Sequence, residues 1–517
     1  MTLAPRLAAA TAIAATIAAA PSGPRLKGED ALVRVYDAIL GARFASIDAE
    51  LRRACSPTAP VIVDAAPPEA CDVLEATALW WRIQLDPDST ALDDQFTAAV
   101  ERAIARCEAW TEREEDAAEA WFYLGGAYAA RVQWRVLRNE KLSAARDGKR
   151  IKDALERAVA LDPELDDAYF GIGLYRYYAD VAPTAAKILR FLLLLPGGNR
   201  QEGLAQMLRT RDEGKLLQGE ADYQLHLIYL WYERQTPRAL ELLRELQRKY
   251  PRNPLFLTQI AEIQDVYVHD PLASLESSRL LLTEARADRV YAAGIAEVRA
   301  RLGIARQLDA VAETDQAIEH LERIVAMRPT APYASLSLAY LRLGQAHDRV
   351  NARTEAMAAY RMASLNAPDP DPYNVRRQAA EHLRRGPNIH HADAFRLSLE
   401  GWRKLEKKDL AGAAAALERA LTLNPRDPVA HYRYGRVLEA RRQEAAALTH
   451  FETAIRDARV CPPPILGSAY LEVARLHERN GHHEQAISAY TIASTLFGAG
   501  EETQRAAARA LTRLQRR

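Results

Sequence analysis

The sequence predicts an all-α chain, a solenoid of antiparallel helix pairs, and three observations carry that prediction. Hydrophobic residues fill 49% of the 517 positions, largely through Ala, which suits closely packed helices. Period-two runs of Val, Ile and Thr are nearly absent, so strands have no support. An ordered set of anchors also recurs: a bulky residue, Leu and Gly on one helix, then Ala, a large residue and Ala on the next. Trp121, Leu124, Gly125 and Tyr128 open the first set, and Ile151, Leu155, Ala158 and Pro163 complete it. The pattern is a packing code, because Gly lets a partner helix cross closely and the large residue fills the space offered. Stacked units of this kind bury their faces on one another, and their usual product is a binding surface. Lys plus Arg equals Asp plus Glu at 69 each, so no global charge favours nucleic acid or a membrane surface.

Residues 1–22 are expected to be a signal peptide. Arg6 stands in a short n-region, and Leu7 to Ala20 is apolar or small but shorter than a membrane span requires. Cleavage fits either Ala18-Ala19-Ala20 or Ala20-Pro21-Ser22; the competing reading is a disordered Ala-rich leader. The mature chain is then exported, periplasmic or secreted, with no integral membrane span left. Residues 29–115 read as a divergent helical cap. A helical region covers 29–54 with Leu32, Val35, Tyr36, Ile39 and Leu40 in phase. A second helix runs from Cys71 to Leu85 and ends at Asp86-Pro87, since the residue before Pro avoids the α region. A third runs from Leu92 to Trp110. Cys55 and Cys71 flank a Pro-rich loop. They are either bridged, as an oxidising compartment allows, or two partly buried thiols.

Residues 116–368 read as solenoid with a lengthened first hairpin. The interval from Trp121 to Pro163 exceeds the usual repeat by about four helical turns, or about two per helix. Tyr169, Ile172 and Gly173 restart the pattern. The apolar run Ile188 to Leu195 is too short to span a bilayer and is expected to be buried. Tyr223 with Ala239, Leu243 and Pro251 forms a unit, as do Ala317, Leu321 and Pro329. Tyr340, Leu343 and Gly344 join Ala356, Tyr360, Ala363 and Pro368 without a gap. Repeated Pro, Asn and Gly then mark 369–392 as a linker. Residues 393–517 are the most regular part. Gly401 goes with Ala413, Leu417 and Ala420; Gly435 with Ala447, Phe451 and Ala454; Tyr470 and Gly481 with Ala486, Tyr490 and Ala493. Glu501 to Arg517 carries Arg505, Arg509, Arg513 and Arg516 on a polar face, as a solenoid's capping helix should.

Over about 119–163 and 397–497 these anchors resemble the tetratricopeptide repeat superfamily. The resemblance implies a right-handed superhelix whose first helices line a concave groove. Residues 160–260 are similar to the eukaryotic outer-membrane and inclusion-body-clearance repeat proteins of the Iml type. That likeness rests on Phe170-Gly171, Pro183, Lys187, Gly198-Asn199-Arg200, Gly203-Leu204, Lys249-Tyr250-Pro251 and Leu255-Phe256. The export signal departs from that cytosolic family, so its partners are not carried over.

Chemistry is sparse. G-x-S-x-G and H-E-x-x-H are absent, and Leu204 stands where a P-loop needs Lys after Gly198 to Gly203. The cysteines lack zinc spacing, and His477 and His482, five apart, are poorly placed to converge on a metal. No enzyme activity, cofactor or metal is expected. Two groove segments remain as candidate partner sites. The N-terminal one holds the stripe Arg131, Trp134, Arg135 and Arg138 with Tyr177, Tyr178 and Trp231. The charged stripe is either a solvated face or a carboxylate-binding one, and the aromatics belong either to the groove or to the core. The C-terminal one, by the repeat register, holds Trp402, Tyr432, Arg436, Glu439, Arg475 and Arg479. The expected function is an exported, non-catalytic scaffold that binds a protein or peptide in its groove, in assembly or quality control of an envelope complex. The alternative is a small-molecule or glycan receptor using the aromatic groove.

Overall fold

In the computed structural model, which describes residues 26–55, 65–182 and 197–515, every regular element is a helix. Four helices come first among the described residues: α1 (Glu29–Leu40), α2 (Phe44–Cys55), α3 (Pro68–Ile83) and α4 (Asp93–Arg113). Antiparallel pairs follow, first α5 (Ala118–Leu137) with α6 (Lys141–Leu161) and α7 (Ala168–Val181) with α8 (Arg200–Glu213). Next come α9 (Gln218–Trp231) with α10 (Thr236–Lys249) and α11 (Pro254–Val266) with α12 (Pro271–Arg286). Then come α13 (Ala293–Ala310) with α14 (Thr314–Met327) and α15 (Ser335–Arg349) with α16 (Arg353–Asn366). A single helix, α17 (Val375–Arg384), precedes α18 (Ile389–Glu406) with α19 (Leu410–Leu423) and α20 (Pro428–Ala440) with α21 (Glu444–Arg456). The last pair is α22 (Pro463–Arg479) with α23 (His483–Thr495), closed by α24 (Glu501–Gln515).

The glycine code is realised atom by atom. A Cβ on Gly125 would stand 2.5 Å from Leu155, one on Gly344 2.6 Å from the Tyr360 ring, and one on Gly435 2.6 Å from the Phe451 ring. On Gly401 it would meet Leu417 at 2.7 Å. Each pair therefore closes by fitting the large side chain of its second helix over a bare backbone patch of its first. The lengthened hairpin is present too: α5 and α6 have 20 and 21 residues, against 13 each for α20 and α21. Gly203, the P-loop look-alike, approaches the Gly173 carbonyl so closely that a Cβ would lie 2.6 Å from it. That glycine serves the crossing of α7 and α8.

Curvature follows from which helices touch. First helices of successive pairs, α11 and α13, α13 and α15, α18 and α20, α20 and α22, meet one another, whereas second helices of successive pairs do not pack together to that extent. The first helices therefore lie on the inner side of the bend. In the N-terminal half that inner side is filled by the chain itself. Tyr36 and Trp81 donate to the buried Glu220 carboxylate at 3.0 and 3.2 Å. Tyr250 donates to Asp37 at 2.5 Å, and the Asn253 amide to the Leu40 carbonyl at 2.8 Å. The Trp81 ring sits 4.8 Å from Tyr223 and 6.2 Å from Phe256. So α1 and α3 lie against α9 and α11, and among the described residues the buried side chains from Leu26 to Ile263 share one hydrophobic core.

Two local readings change. The helical region at 29–54 is broken after Leu40, where Gly41 caps α1 and Ala42 takes a φ of 52°. Within 369–392 lies α17, whose Val375 and Ala379 are buried beside Tyr360 and whose Leu383 packs against them. The helical period 375, 379, 383 was hidden between proline and glycine clusters. No helix among the described residues is long and apolar enough to cross a membrane. The leader at 1–22 and the run Ile188 to Leu195 lie outside the described residues.

Candidate partner groove

Arg131 is buried, Arg135 and Arg138 are half-buried, and all three are engaged by acids and carbonyls of the chain itself. Asp147 on α6 is fully buried and accepts from Arg131 at two distances of 2.9 Å and from Arg135 at 2.5 Å. Arg131 also binds Glu101 at 2.6 Å. Arg138 donates to Asp93 and to the carbonyls of Pro87 and Ser89, tying α5 to the loop before α4. Trp134 stacks on Phe96 at 5.9 Å. The physical reason is the lengthened hairpin, which holds an acid on α6 opposite a basic stripe on α5. Buried charges need partners, and these have them. Tyr177 is buried as well; its hydroxyl donates to Glu233 at 2.5 Å, and its ring meets Tyr178 and Tyr232 edge-on. Only Trp231 of that segment stands out, 53% exposed, with its indole N–H on the Tyr267 hydroxyl at 2.9 Å. Its exposed neighbours Tyr232 and Tyr267 extend the patch.

The C-terminal segment is brought together. Trp402 on α18 faces Tyr432 on α20 at 6.3 Å, and Arg436 donates to the Tyr432 hydroxyl at 3.4 Å. Tyr432 itself is mostly covered by its neighbours. Arg436 pairs with Glu439 and Glu472 at 3.5 and 3.4 Å. Arg475 pairs with Glu472 at 2.9 Å, and Arg479 with Glu439 and Glu444 at 3.0 and 3.4 Å. Arg475 and Arg479 nevertheless keep nearly half of their side-chain surface in water. Burial holds the Glu472 carboxyl above the usual carboxylate range, while Arg436 and Arg475 pull it back.

The sequence register missed the far wall of this groove. A cleft of about 330 Å³ opens between α22 and α24, with Arg475 and Arg479 on one side and Arg509 and Arg513 on the other. Arg513 binds both oxygens of Glu478 at 2.8 Å. The available signal was the i, i+4 spacing of both arginine pairs on helices that must be neighbours once α24 caps the stack. Read alone, α24 looked only solvated.

Cys55 and Cys71 form a disulfide between α2 and α3, with Cα atoms 6.4 Å apart. Cys107 and Cys461 are free and buried, and burial pushes both thiols up to about 12. Among the described residues no group of His, Cys, Asp and Glu is placed to hold a metal ion.

Residues 404–465 match the tetratricopeptide repeat family. No curated protein matches the chain. Among solved structures it is similar to the TPR2AB domain of yeast Sti1 in complex with pHSP90, at 15% identity and a TM-score of 0.20, covering 57% of this chain and 96% of that one. It is also similar to the TPR domain of P58(IPK), at 12% identity and a TM-score of 0.23, covering 86% and 98%. Yeast Tom70 follows at 11% identity and a TM-score of 0.25, covering 85% and 96%. The family match falls on pairs that close by the Gly-to-large code, so residues 404–465 are tetratricopeptide repeats.

Proposed function

We propose that this protein is a non-catalytic scaffold that holds a protein or peptide partner along the inner face of its C-terminal repeats. One observation carries the reading. The inner face of the N-terminal half is occupied by α1 and α3, whereas that of α18, α20 and α22 presents Trp402 and half-exposed arginines held by glutamates. Ordered cationic forks next to an aromatic ring are an economical way to hold a chain segment, because little side-chain entropy is lost on binding. A photo-crosslinking residue at Trp402 or Arg479 is expected to capture partners in the source cells, and one at Arg135 is not. Capture from position 135 alone overturns the assignment.

The same proposal places the protein outside the cytosol, in assembly or quality control of an envelope complex. Support comes from the leader at 1–22 and from the Cys55–Cys71 bridge, since stable disulfides belong to oxidising compartments. Mass spectrometry of protein from its own cells should find the leader removed; a mature chain starting at Met1 refutes export. The exposed Trp231, Tyr232 and Tyr267 favour a second reading, a glycan or small molecule on that aromatic shelf. Binding there should be nearly insensitive to salt and lost in Trp231→Ala.

A further inference from the structure

We propose that one edge of the N-terminal half is a membrane-contact surface, resting on the headgroup region of a lipid bilayer and separate from the C-terminal groove. Helix direction sets the edge. First helices run the same way, so the C-terminal ends of α5, α7, α9 and α11 emerge side by side. At those ends the Tyr178 ring of α7 lies 5.5 Å from Tyr232, just past α9. The Trp231 indole N–H then reaches the Tyr267 hydroxyl, just past α11, at 2.9 Å. A Cβ on Gly148 would stand 3.6 Å from the Tyr175 ring, which sets the start of α6, and with it the turn of the lengthened hairpin, beside the end of α7. Six exposed residues follow this edge: Val136 and Leu142 at the hairpin turn, Trp231 and Tyr232 at α9, Val266 and Tyr267 at α11.

The chemistry of the edge suits lipid. Tyr and Trp are the side chains that settle at headgroup depth, with an apolar body and a polar tip. The Trp231 N–H is already satisfied within the chain, so entering an apolar phase leaves no orphan donor. The charges left over beside the row are basic. Lys141, Arg146 and Arg234 are exposed and make no ion pair among the described residues, whereas Glu140, Glu233 and Asp265 are held by Arg135, Arg200 and Arg306. Such bases favour anionic headgroups although the whole chain is balanced. The chain also leaves the described structure at Ala182 and rejoins it at Gly197 on this edge, where the Asn199 N–H donates to the Arg176 carbonyl at 3.0 Å. The sequence between carries Ile188, Leu189 and Phe191 to Leu195 with Lys187 and Arg190, the composition of a segment that lies on a bilayer and does not span it. A glycan would use the three rings and have no need of Val136 and Leu142.

The test uses the full chain with unilamellar vesicles of phosphatidylethanolamine and phosphatidylglycerol, and of phosphatidylcholine alone. An environment-sensitive fluorophore is attached to Val136→Cys, to Val266→Cys or, as a control, to Leu365→Cys. Leu365 is exposed near the end of the second helix α16, at the opposite edge. Cys107 and Cys461 are buried and do not compete for the label. The readout is local, so attachment through the leader at 1–22 alone does not produce it. Anionic vesicles should brighten and blue-shift the labels at 136 and 266 and leave that at 365 unchanged. Trp231→Ala with Tyr267→Ala, at unchanged helix content, should raise the lipid concentration for half of the shift at 136 roughly tenfold. Lys141→Glu with Arg146→Glu should do the same on anionic vesicles and little on phosphatidylcholine. No shift at 136 and 266, the result a glycan shelf gives, or an equal shift at 365 overturns the proposal. So do labels already blue-shifted before lipid is added, because the chain itself or a second copy then covers the edge. Crosslinking at Trp402 is unaffected by either outcome, so the groove stands or falls separately.

Discussion

Asp147 shows how far one residue can govern a region. Its carboxylate has no exposure and neutralises Arg131 and Arg135, with Arg150 at 3.4 Å. Removing one partner of such a cluster leaves uncompensated charge in a dry site, which costs about 3–5 kcal/mol. Asp147→Ala is expected to lose stability in that range by urea denaturation, and Arg135→Ala less, because Arg131 and Arg150 remain on the acid. His226 offers the matching acid probe. Desolvation lowers its imidazole to about 3 from the usual 6.5. The folded ring then stays neutral while the unfolded chain takes up a proton below about pH 6.5. Its contribution is complete above that pH and is lost as pH falls towards 3. The buried Glu220 carboxyl, raised by burial, contributes in the opposite sense. Comparing His226→Gln with the native chain isolates the histidine: the variant should show a shallower loss of stability between pH 6.5 and 3 by chemical denaturation.

At the scale of elements, the pairing code was legible because it is local. Gly435 and Phe451 stand sixteen positions apart, as do Gly401 and Leu417 and Gly344 and Tyr360, so the close crossing can be read along the chain. Gly435→Ala should force a Cβ into the Phe451 ring and cost about 1–3 kcal/mol. Gly294→Ala, near the start of α13 with nothing within 4 Å, should be neutral or slightly stabilising in the same thermal melt. What was not legible is non-local. Nothing near Arg131 announces that Asp147 will face it, because a stripe of arginines on one helix looks alike whether water or a carboxylate covers it. The filling of the inner face by α1 and α3 depends on contacts across more than 180 positions, such as Tyr36 to Glu220. The disulfide anchors that filling element, since it ties α3 to α2. Cys55→Ser with Cys71→Ser should lower the unfolding free energy by up to roughly 3 kcal/mol, the chain-entropy stabilisation of a loop that size. No loss of stability in non-reducing buffer rejects that role.

Across the whole molecule, successive parts of the coil touch, so the chain is more than a row of neighbours. Asp86 accepts from the Tyr333 backbone N–H at 2.9 Å, and Asp88 from the Tyr373 hydroxyl at 2.8 Å. At the far end, Phe497 lies 5.8 Å from His269, and a Cβ on Gly500 would meet Leu272 at 2.7 Å. The most consequential joint is at α17, which packs on α15 and α16 while α18 starts a new stack. Three arginines carry the connection across it. Arg433, 2% exposed, donates to the Ala312 carbonyl at 2.6 Å and to Ser398 at 3.1 Å, between the rings of Phe395 and Trp402. Arg403 binds Glu313 and Asp315, and the Arg349 guanidinium lies 4.6 Å from the centre of the Phe395 ring. Burial brings the Arg433 guanidinium down to about 10, so it stays charged at neutral pH and depends on these acceptors. A repeat array unfolds cooperatively only while its interfaces outweigh the intrinsic instability of its units. Arg433→Met removes the Ala312 and Ser398 bonds yet keeps an apolar side chain between the two rings. In that variant the residues from α18 to α24 should exchange amide hydrogens faster than those of α5 to α11, and one unfolding transition should become two. Uniform protection across both halves would mean that Arg403 and the packing hold the joint and that the buried Arg433 charge carries no coupling.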